Sequence, residues 1–434
     1  MRDSVVGSPL LAERLGTTGS PFLERLGGSP SWRDASESCV HGLARVVATS
    51  LGNARYLSSR SELLGTIRTA GPDTLPMRRA ALLEAEPPGG PTDLEGFLDA
   101  IRLVRRDETA LAACLHLGGI APFEQVSEFL SVVAETCVRW ALQVAEQRAA
   151  TAAEPSLLAI LGMGKIAGRE FTYGSDLDLI FLFPDTVTEG AVPSRLAQRL
   201  IGYLASMTGA GVAYAVDSRL RPSGRQGALV SSYSAFARYQ CEQAATWEHL
   251  AIMRSRVIAG ACAEGQQVLD ATRQRVLQGG RDPWPEVASM RSRVEAERGQ
   301  DPKQGLAYKA GRGGLMDVEF LATGSMLERG EPLPGDTLPS IPAMLRAAIH
   351  GPRLERRLES YAFLRRVEAC ARWVIGRPVE SLPLSGETLA VIAELVEPGS
   401  SPEQLLAKIG DARAGNRRDY EAVIAAGTIT ALGG

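Results

Sequence analysis

Lysine is almost missing from this chain: only Lys165, Lys303, Lys309 and Lys408 stand among 47 basic residues. A GC-rich coding sequence produces that arginine bias, so the bias carries no functional weight, but it makes the position of Lys165 worth following. Net positive charge is missing too. The 47 basic residues face 50 acidic ones, a formal balance of −3, which gives no electrostatic reason to expect a nucleic-acid partner. Histidine is scarce, with four in the chain. Cys39, Cys114, Cys137, Cys241, Cys262 and Cys370 are scattered without a C-x-x-C pair, which argues against a structural zinc site and for free thiols in a reducing compartment. No run of about 18 consecutive apolar residues exists to span a membrane, and Met1-Arg2-Asp3 opens no apolar leader segment. The expectation is a cytoplasmic protein with no membrane contact. A composition of 45% hydrophobic and 22% charged residues excludes disordered and collagen-like classes, and the length suggests about three domains.

Proline and glycine cluster at Pro87–Pro91, from Gly330 to Pro342, and at Pro398–Pro402. Each cluster reads as a loop. From about Asp93 to Arg148 the period is helical, with Val126, Phe129, Leu130, Val133, Cys137, Trp140, Ala141 and Val144 on one stripe. Packing is the plain reading of Cys137 and Trp140. Leu157–Leu161 and Leu177–Phe183 read as strands, with Val212–Val216 and Ala228–Val230 as shorter candidates and Ser194–Thr208 as an amphipathic helix between them. Helical period returns after residue 233, and Leu354, Leu358, Tyr361, Leu364, Val367, Cys370 and Val374 form another stripe. The expected class is α+β: N-terminal helices over 1–150, a core with a small mixed sheet over 151–260, and a C-terminal helical bundle over 261–434.

The chemistry concentrates between Leu158 and Phe183. Gly162, Gly164 and Lys165 follow a strand directly. Glycine there lets backbone N–H groups approach a phosphate, a following helix N-terminus would add a favourable dipole, and Lys165 would add a point charge. Asp176 and Asp178 stand two apart at the start of the next strand, so both carboxylates share a face while Leu177, Leu179 and Phe181 take the other. Two like charges side by side call for a cation, and oxygen-only ligands suit magnesium. Asp217 ends a further short strand and is followed by Arg219 and Arg221. If that strand neighbours the second one, three carboxylates gather where one or two metals would sit, with the arginines reaching a bound triphosphate. That equipment suits two-metal nucleotidyl transfer.

Gly162-x-Gly164-x-x-Ala167 also fits a dinucleotide fingerprint, with Asp185 about twenty residues on as a ribose-binding acid. The few residues between Gly164 and Asp176 are too short for a full crossover helix, the paired aspartates stay unexplained, and no βαβ alternation follows.

The segment Gly162-Met-Gly164-Lys165 with Gly174-Ser175-Asp176-Leu-Asp178-Leu resembles the core of the glutamine synthetase adenylyltransferase/deadenylase family, a branch of the DNA polymerase beta-like nucleotidyltransferases. Val216-Asp217-Ser-Arg219-Leu-Arg221-Pro222, Thr246-Trp247-Glu248-His249, Arg254-Ser-Arg256-Val257 and Gly313-Gly314-Leu-Met-Asp317-Val-Glu319-Phe320 follow in the family's order. Arg105-Arg106-Asp107-Glu108 resembles its N-terminal helical region. The resemblance spans roughly residues 95 to 395. It implies a polymerase beta-like core in which Asp176, Asp178 and Asp217 are catalytic and hold Mg²⁺. Gly162, Gly164, Lys165, Gly174, Ser175, Arg219 and Arg221 would bind the nucleotide. It further implies ATP as substrate, glutamine synthetase as protein acceptor, and a PII-type signalling protein as regulator.

Full-length members carry two catalytic units, one adding AMP to tyrosine and one removing it by phosphorolysis. This chain has one Asp-x-Asp core, and Tyr173–Asp178, Arg221-Pro222-Ser223 and Thr246–His249 resemble the adding unit. Ile166-Ala167 replaces the family's usual Leu-Gly. Plainer readings stand beside these. Gly313-Gly314 can be a tight turn with Asp317 and Glu319 favoured by a helix dipole, Trp247 and His249 packing residues, and Arg219 and Arg221 ordinary salt-bridge partners. A nucleotidyltransferase with another acceptor, and a regulatory binding protein without catalysis, are the competing functions.

Overall fold

The computed structural model describes residues 9–18 and 32–433 apart from 33, 150–155, 189, 281 and 304. Met1–Asp3, on which the leader expectation rests, and the expected boundary at 150/151 lie outside the described residues. Helical periodicity builds the first part of the chain. Pro9–Thr18 (α1), Glu37–Thr49 (α2), Leu51–Ser58 (α3), Ser61–Arg68 (α4) and Thr74–Glu84 (α5) precede the long helices Leu94–Leu117 (α6) and Phe123–Arg148 (α7). The continuous helical pattern expected over 93–148 is thus two helices. Gly119, at φ 72°, turns the chain between them, and Pro122 caps the second because its ring cannot continue a helix. Along α7, Val126, Phe129, Val133, Cys137, Trp140 and Val144 are all buried, and the Trp140 indole N–H donates to the Ala85 carbonyl at 2.8 Å. The Arg-Arg-Asp-Glu motif of α6 ties helices together: Asp107 accepts from Tyr56 Oη at 2.6 Å, Glu108 pairs with Arg78, and Arg106 lies 3.7 Å over the Tyr56 ring.

A five-stranded sheet follows. Ala159–Met163 (β1) and Leu177–Phe183 (β2) precede a helix, Ala191–Ala205 (α8). Val216–Asp217 (β3) and Val230–Ser232 (β4) come next, then Tyr233–Glu242 (α9), Thr246–Met253 (α10) and Ser255–Gly260 (β5). The order is β3-β2-β1-β5, with β4 also beside β2. β1 runs antiparallel to β2 and β5, whereas β3 and β4 run parallel to β2. An antiparallel β1–β2 pair is incompatible with a dinucleotide-binding βαβ unit, whose strands are parallel. Asp185 is used elsewhere, accepting from the Ser234 hydroxyl at 2.6 Å.

The strand expected over 228–230 starts only at Val230 and runs to Ser232, and two further expectations change. The strand expected over 212–216 shrinks to Val216–Asp217, because Thr208 and Gly211 close a tight turn and the Tyr214 amide bonds back to Leu204. The helix expected after the glycines is replaced by successive turns over 164–169.

After β5 come Cys262–Gln278 (α11), Trp284–Arg298 (α12) and, past a two-residue strand Gly305–Leu306 (β6), Leu315–Arg329 (α13). Ile341–Ala348 (α14), Pro352–Ile375 (α15), Leu382–Pro383 (β7, paired with β6), Glu387–Val396 (α16) and Pro402–Ala426 (α17) follow, and a short 3₁₀ turn, Ile429–Leu432, ends the described chain. The class is α+β. The second and third proline-rich breaks end in prolines, Pro342 and Pro402, that sit in the first turns of α14 and α17, where no donor is lost. One hydrophobic cluster runs from Leu11 to Leu432 through helices and sheet alike. Among the described residues no helix is long and apolar enough to cross a membrane.

Candidate active site

β2 is the sheet's central strand. Leu177, Leu179, Ile180, Phe181 and Leu182 are fully buried, and Asp178 is the only polar side chain within it. β3 pairs with it in parallel register, Leu177 opposite Val216 and Asp178 opposite Asp217. Residues opposed across neighbouring strands share a face at a spacing of about 4.8 Å, and Asp176 reaches the same face by the two-residue period. Burial, then the charges of Asp176 and Asp217, raise the Asp178 carboxyl to about 7, against the opposing pull of Lys165 and Arg219. The structure therefore brings Asp176, Asp178, Asp217, Lys165 and Arg219 within electrostatic reach of one another.

Their partners differ from those the sequence suggests. Lys165 does not hang free over a phosphate site. Its Nζ lies 2.7 Å from Glu368 Oε1 of α15. Burial lowers the Lys165 ammonium to about 7, with Glu368 opposing and Arg365, Lys309 and Arg372 reinforcing the shift. Arg219 folds back on Asp217, its Nε 2.7 Å from Oδ2, and the Arg219 amide also donates to Oδ1 at 2.9 Å. These bonds hold the Asp217 carboxyl below the usual carboxylate range. Arg221 braces its own loop, donating to the Ser218 carbonyl at 2.7 Å and to the carbonyls of Arg225 and Gly227.

The glycines divide by role. Gly162 is a packing position in β1, where a Cβ would stand 2.8 Å from Ile166 Cγ2. Gly164, at φ 60°, turns the chain out of β1, and a Cβ there would be 4.0 Å from Asp178 Oδ2. Gly174, at φ 65°, forms the exposed turn before β2. Ser175 is buried and accepts the Thr172 N–H at 3.1 Å.

Among the described residues no three His, Cys, Asp or Glu side chains form a preassembled metal cage. The trio Asp176, Asp178 and Asp217 is thus gathered but not closed into a cage. Close carboxylates repel, and Arg219 draws Asp217 to itself. The donor set nevertheless fits Mg²⁺. It is all oxygen, and the register sets Asp178 and Asp217 side by side on the face that Asp176 also reaches.

Sequence reasoning missed the polar layer beneath the site. Glu170 accepts from Arg254 Nη2 at 2.7 Å, Tyr361 Oη at 2.9 Å and the Ile341 N–H at 3.1 Å. Fully buried Glu368 pairs with Lys165, Arg365 and Arg372. Burial alone would raise the Glu368 carboxyl, but these cations outweigh it and hold the group well below the carboxylate range. The Arg254–Val257 motif was the available signal, since Arg254 carries the contact to Glu170 while Arg256 pairs with Glu135 of α7.

The glutamate-ammonia ligase adenylyltransferase family model matches residues 40–271, just over half of the chain. The chain is similar to three enzymes named bifunctional glutamine synthetase adenylyltransferase/adenylyl-removing enzyme. It is 35% identical over 348 residues to that of Chromobacterium violaceum, covering 76% of this chain and 38% of the relative. It is 37% identical over 254 residues to that of Nitrosococcus oceani, covering 53% and 26%. For Hahella chejuensis it is 35% identical over 315 residues, covering 64% and 32%. The matched part therefore spans well under half the length of each relative. Together with the ordered motifs around the Asp-x-Asp strand, the match establishes that this chain belongs to the glutamate-ammonia ligase adenylyltransferase family.

Proposed function

We propose that this chain is a nucleotidyltransferase that moves AMP between ATP and a tyrosine hydroxyl of glutamine synthetase. The observation that carries the reading is the parallel register placing Asp178 opposite Asp217 beside the Gly164 turn. The relatives' names include both addition and removal of AMP, whereas one Asp-x-Asp core serves one site. The segment Tyr173–Asp178 and Arg221-Pro222-Ser223 resemble the adding unit, and we take that direction. The reading includes a polymerase beta-like core over 151–260, helical regions over 1–150 and 261–434, a cytoplasmic setting and a PII-type regulator.

Asp176 and Asp178 would hold Mg²⁺, with Asp217 beside them; the ion would supply charge neutralisation at the triphosphate and in-line alignment of the reacting oxygens. In the adding direction the tyrosyl oxygen bonds to the α-phosphorus, the bond to the bridging oxygen breaks, and pyrophosphate leaves. The hydroxyl proton passes to Asp217, which lies opposite Asp178 in the parallel strand register. The Gly164 turn and Arg219 line the triphosphate's approach. Lys165, anchored on Glu368, is held behind Asp178 rather than free to make a mobile phosphate contact.

The test incubates the purified chain with α-labelled ATP, Mg²⁺ and glutamine synthetase. Label is expected in a tyrosine, and Asp176→Asn or Asp178→Asn should reduce it at least about a hundredfold. Transfer by either variant at near the wild-type rate would sink the assignment.

A further inference from the structure

Three motifs have no part in the carboxylate site, yet the fold brings them to one place. In Thr246–His249, Glu248 turns inward to accept the Ala245 N–H at 2.9 Å, and His249 Nε2 lies 2.9 Å from the Gln240 carbonyl. Trp247 is left 42% exposed, an unusual position for the largest side chain. In Gly313–Phe320, Asp317 is buried against Arg291, while Glu319 and Phe320 face outward from the helix start. Arg254 lies between the two segments. A cleft of about 570 Å³ joins them, lined by Trp247, Arg254, Glu319 and Phe320 and bounded on the sheet side by Gly164 and Leu220.

The cleft has a polarity pattern. Trp247 and Phe320 supply apolar and aromatic surface. Arg254 is 8% exposed; its Nη2 is spent on Glu170 at 2.7 Å, and its Nη1 stands 3.8 Å from Glu319. Its Nε, buried, has no hydrogen-bond partner among the described residues. Glu319, on the cleft wall and 3.8 Å from the Arg254 guanidinium, offers a carboxylate acceptor to a ring's exocyclic amine.

We infer that this cleft holds the nucleoside of the nucleotide substrate, with Trp247 as the stacking face and Arg254 and Glu319 at the edge of the purine. The inference rests on the nucleotidyl-transfer reading above. The position fits, because Gly164 belongs both to the cleft and to the turn beside Asp178, where the triphosphate would lie. The size is right for a drug-sized or nucleotide-sized ligand, roughly 300–1,000 Å³. A tyrosyl ring of the acceptor must carry its hydroxyl to the α-phosphorus, so in this cleft it would leave Glu319 without a donor. The C-terminal helical domain would thereby complete the active site rather than only cover it.

The test titrates the full chain calorimetrically with Mg·ATP and with Mg·tripolyphosphate, for wild type, Trp247→Ala and Trp247→Phe. Loss of the stacking face should weaken ATP on the order of ten- to a hundredfold and leave tripolyphosphate unchanged, and the phenylalanine variant should keep most of the affinity. Trp247 is exposed, so thermal unfolding should match wild type. Unchanged ATP affinity in Trp247→Ala, or equal loss for both ligands, would overturn the pocket assignment. So would a loss confined to glutamine synthetase binding, which would give the cleft to the acceptor. Wild type that binds neither ligand would instead refute the nucleotidyl-transfer reading on which the pocket depends.

Discussion

Asp178 carries the central conflict of the site. It is a largely buried carboxylate on the middle strand of the sheet, facing Asp176 and Asp217, with Lys165 and Arg219 opposing their repulsion. Replacing it by asparagine keeps the shape and removes one of three repelling charges. Without metal, Asp178→Asn should therefore unfold at the same temperature as wild type or a few degrees above it. Adding Mg·ATP should separate the two. A ligand that binds only the folded state stabilises it by about 2.7 kcal/mol at a hundred times its dissociation constant, and wild type should show a gain of that order while the variant gains little. Differential scanning calorimetry with and without Mg·ATP reads both effects. A variant that is destabilised in the absence of ligand would make Asp178 a structural residue.

At the scale of elements, the start of α13 shows how a motif can be structural and functional in alternate residues. Asp317, fully buried, accepts the Gly313 N–H at 2.9 Å, takes the Arg291 guanidinium, and lies 3.5 Å from Arg417 Nη1. It staples α12, α13 and α17 together. Arg291 is only 1% exposed, so Asp317→Asn would leave a buried cation with only Glu295, 3.7 Å away, as counter-charge. Breaking such a pair costs about 3–5 kcal/mol, which a urea titration should register as an earlier midpoint with unchanged slope. Stability equal to wild type would show that Arg291 finds its compensation elsewhere. The contrast with β2 explains what was legible in the sequence. Leu177–Phe183 is apolar at nearly every position because the strand is covered on both faces, and its bounds could be read directly. β5 could not, because it opens with Ser255 and Arg256 and owes its place to distant partners such as Glu135 and the Ala167 carbonyl. The aspartates were legible as neighbours because they depend on strand period. The occupation of Lys165 was not, because Glu368 lies 203 residues further along the chain.

For the whole molecule, the decisive fact is that α15 reaches under the sheet and supplies the counter-charge of the glycine turn. Glu368 meets Lys165 at 2.7 Å, Arg372 at 3.2 Å and Arg365, and Arg365 continues to the Glu170 carbonyl, so one buried polar layer joins the C-terminal helices to the core. Opening such a layer would strand several buried charges at once, which opposes separation of the two regions. The chain should accordingly unfold in a single transition followed by both fluorescence and far-ultraviolet dichroism. Glu368→Gln tests this most sharply. It leaves three cations facing one another around a neutral amide, a loss of about 3–5 kcal/mol by the usual measure of a broken buried pair, and should lower the unfolding temperature by several degrees. Glu368→Asp keeps the charge on a shorter stem and should recover part of it. Because Lys165 is one of the three cations, Glu368→Gln should also weaken Mg·ATP binding at temperatures where it is fully folded, although α15 contributes no residue to the nucleotide cleft described above. A variant that lost stability but bound Mg·ATP as wild type would confine Glu368 to the fold. One that lost neither would mean that the core holds its lysine without the helix.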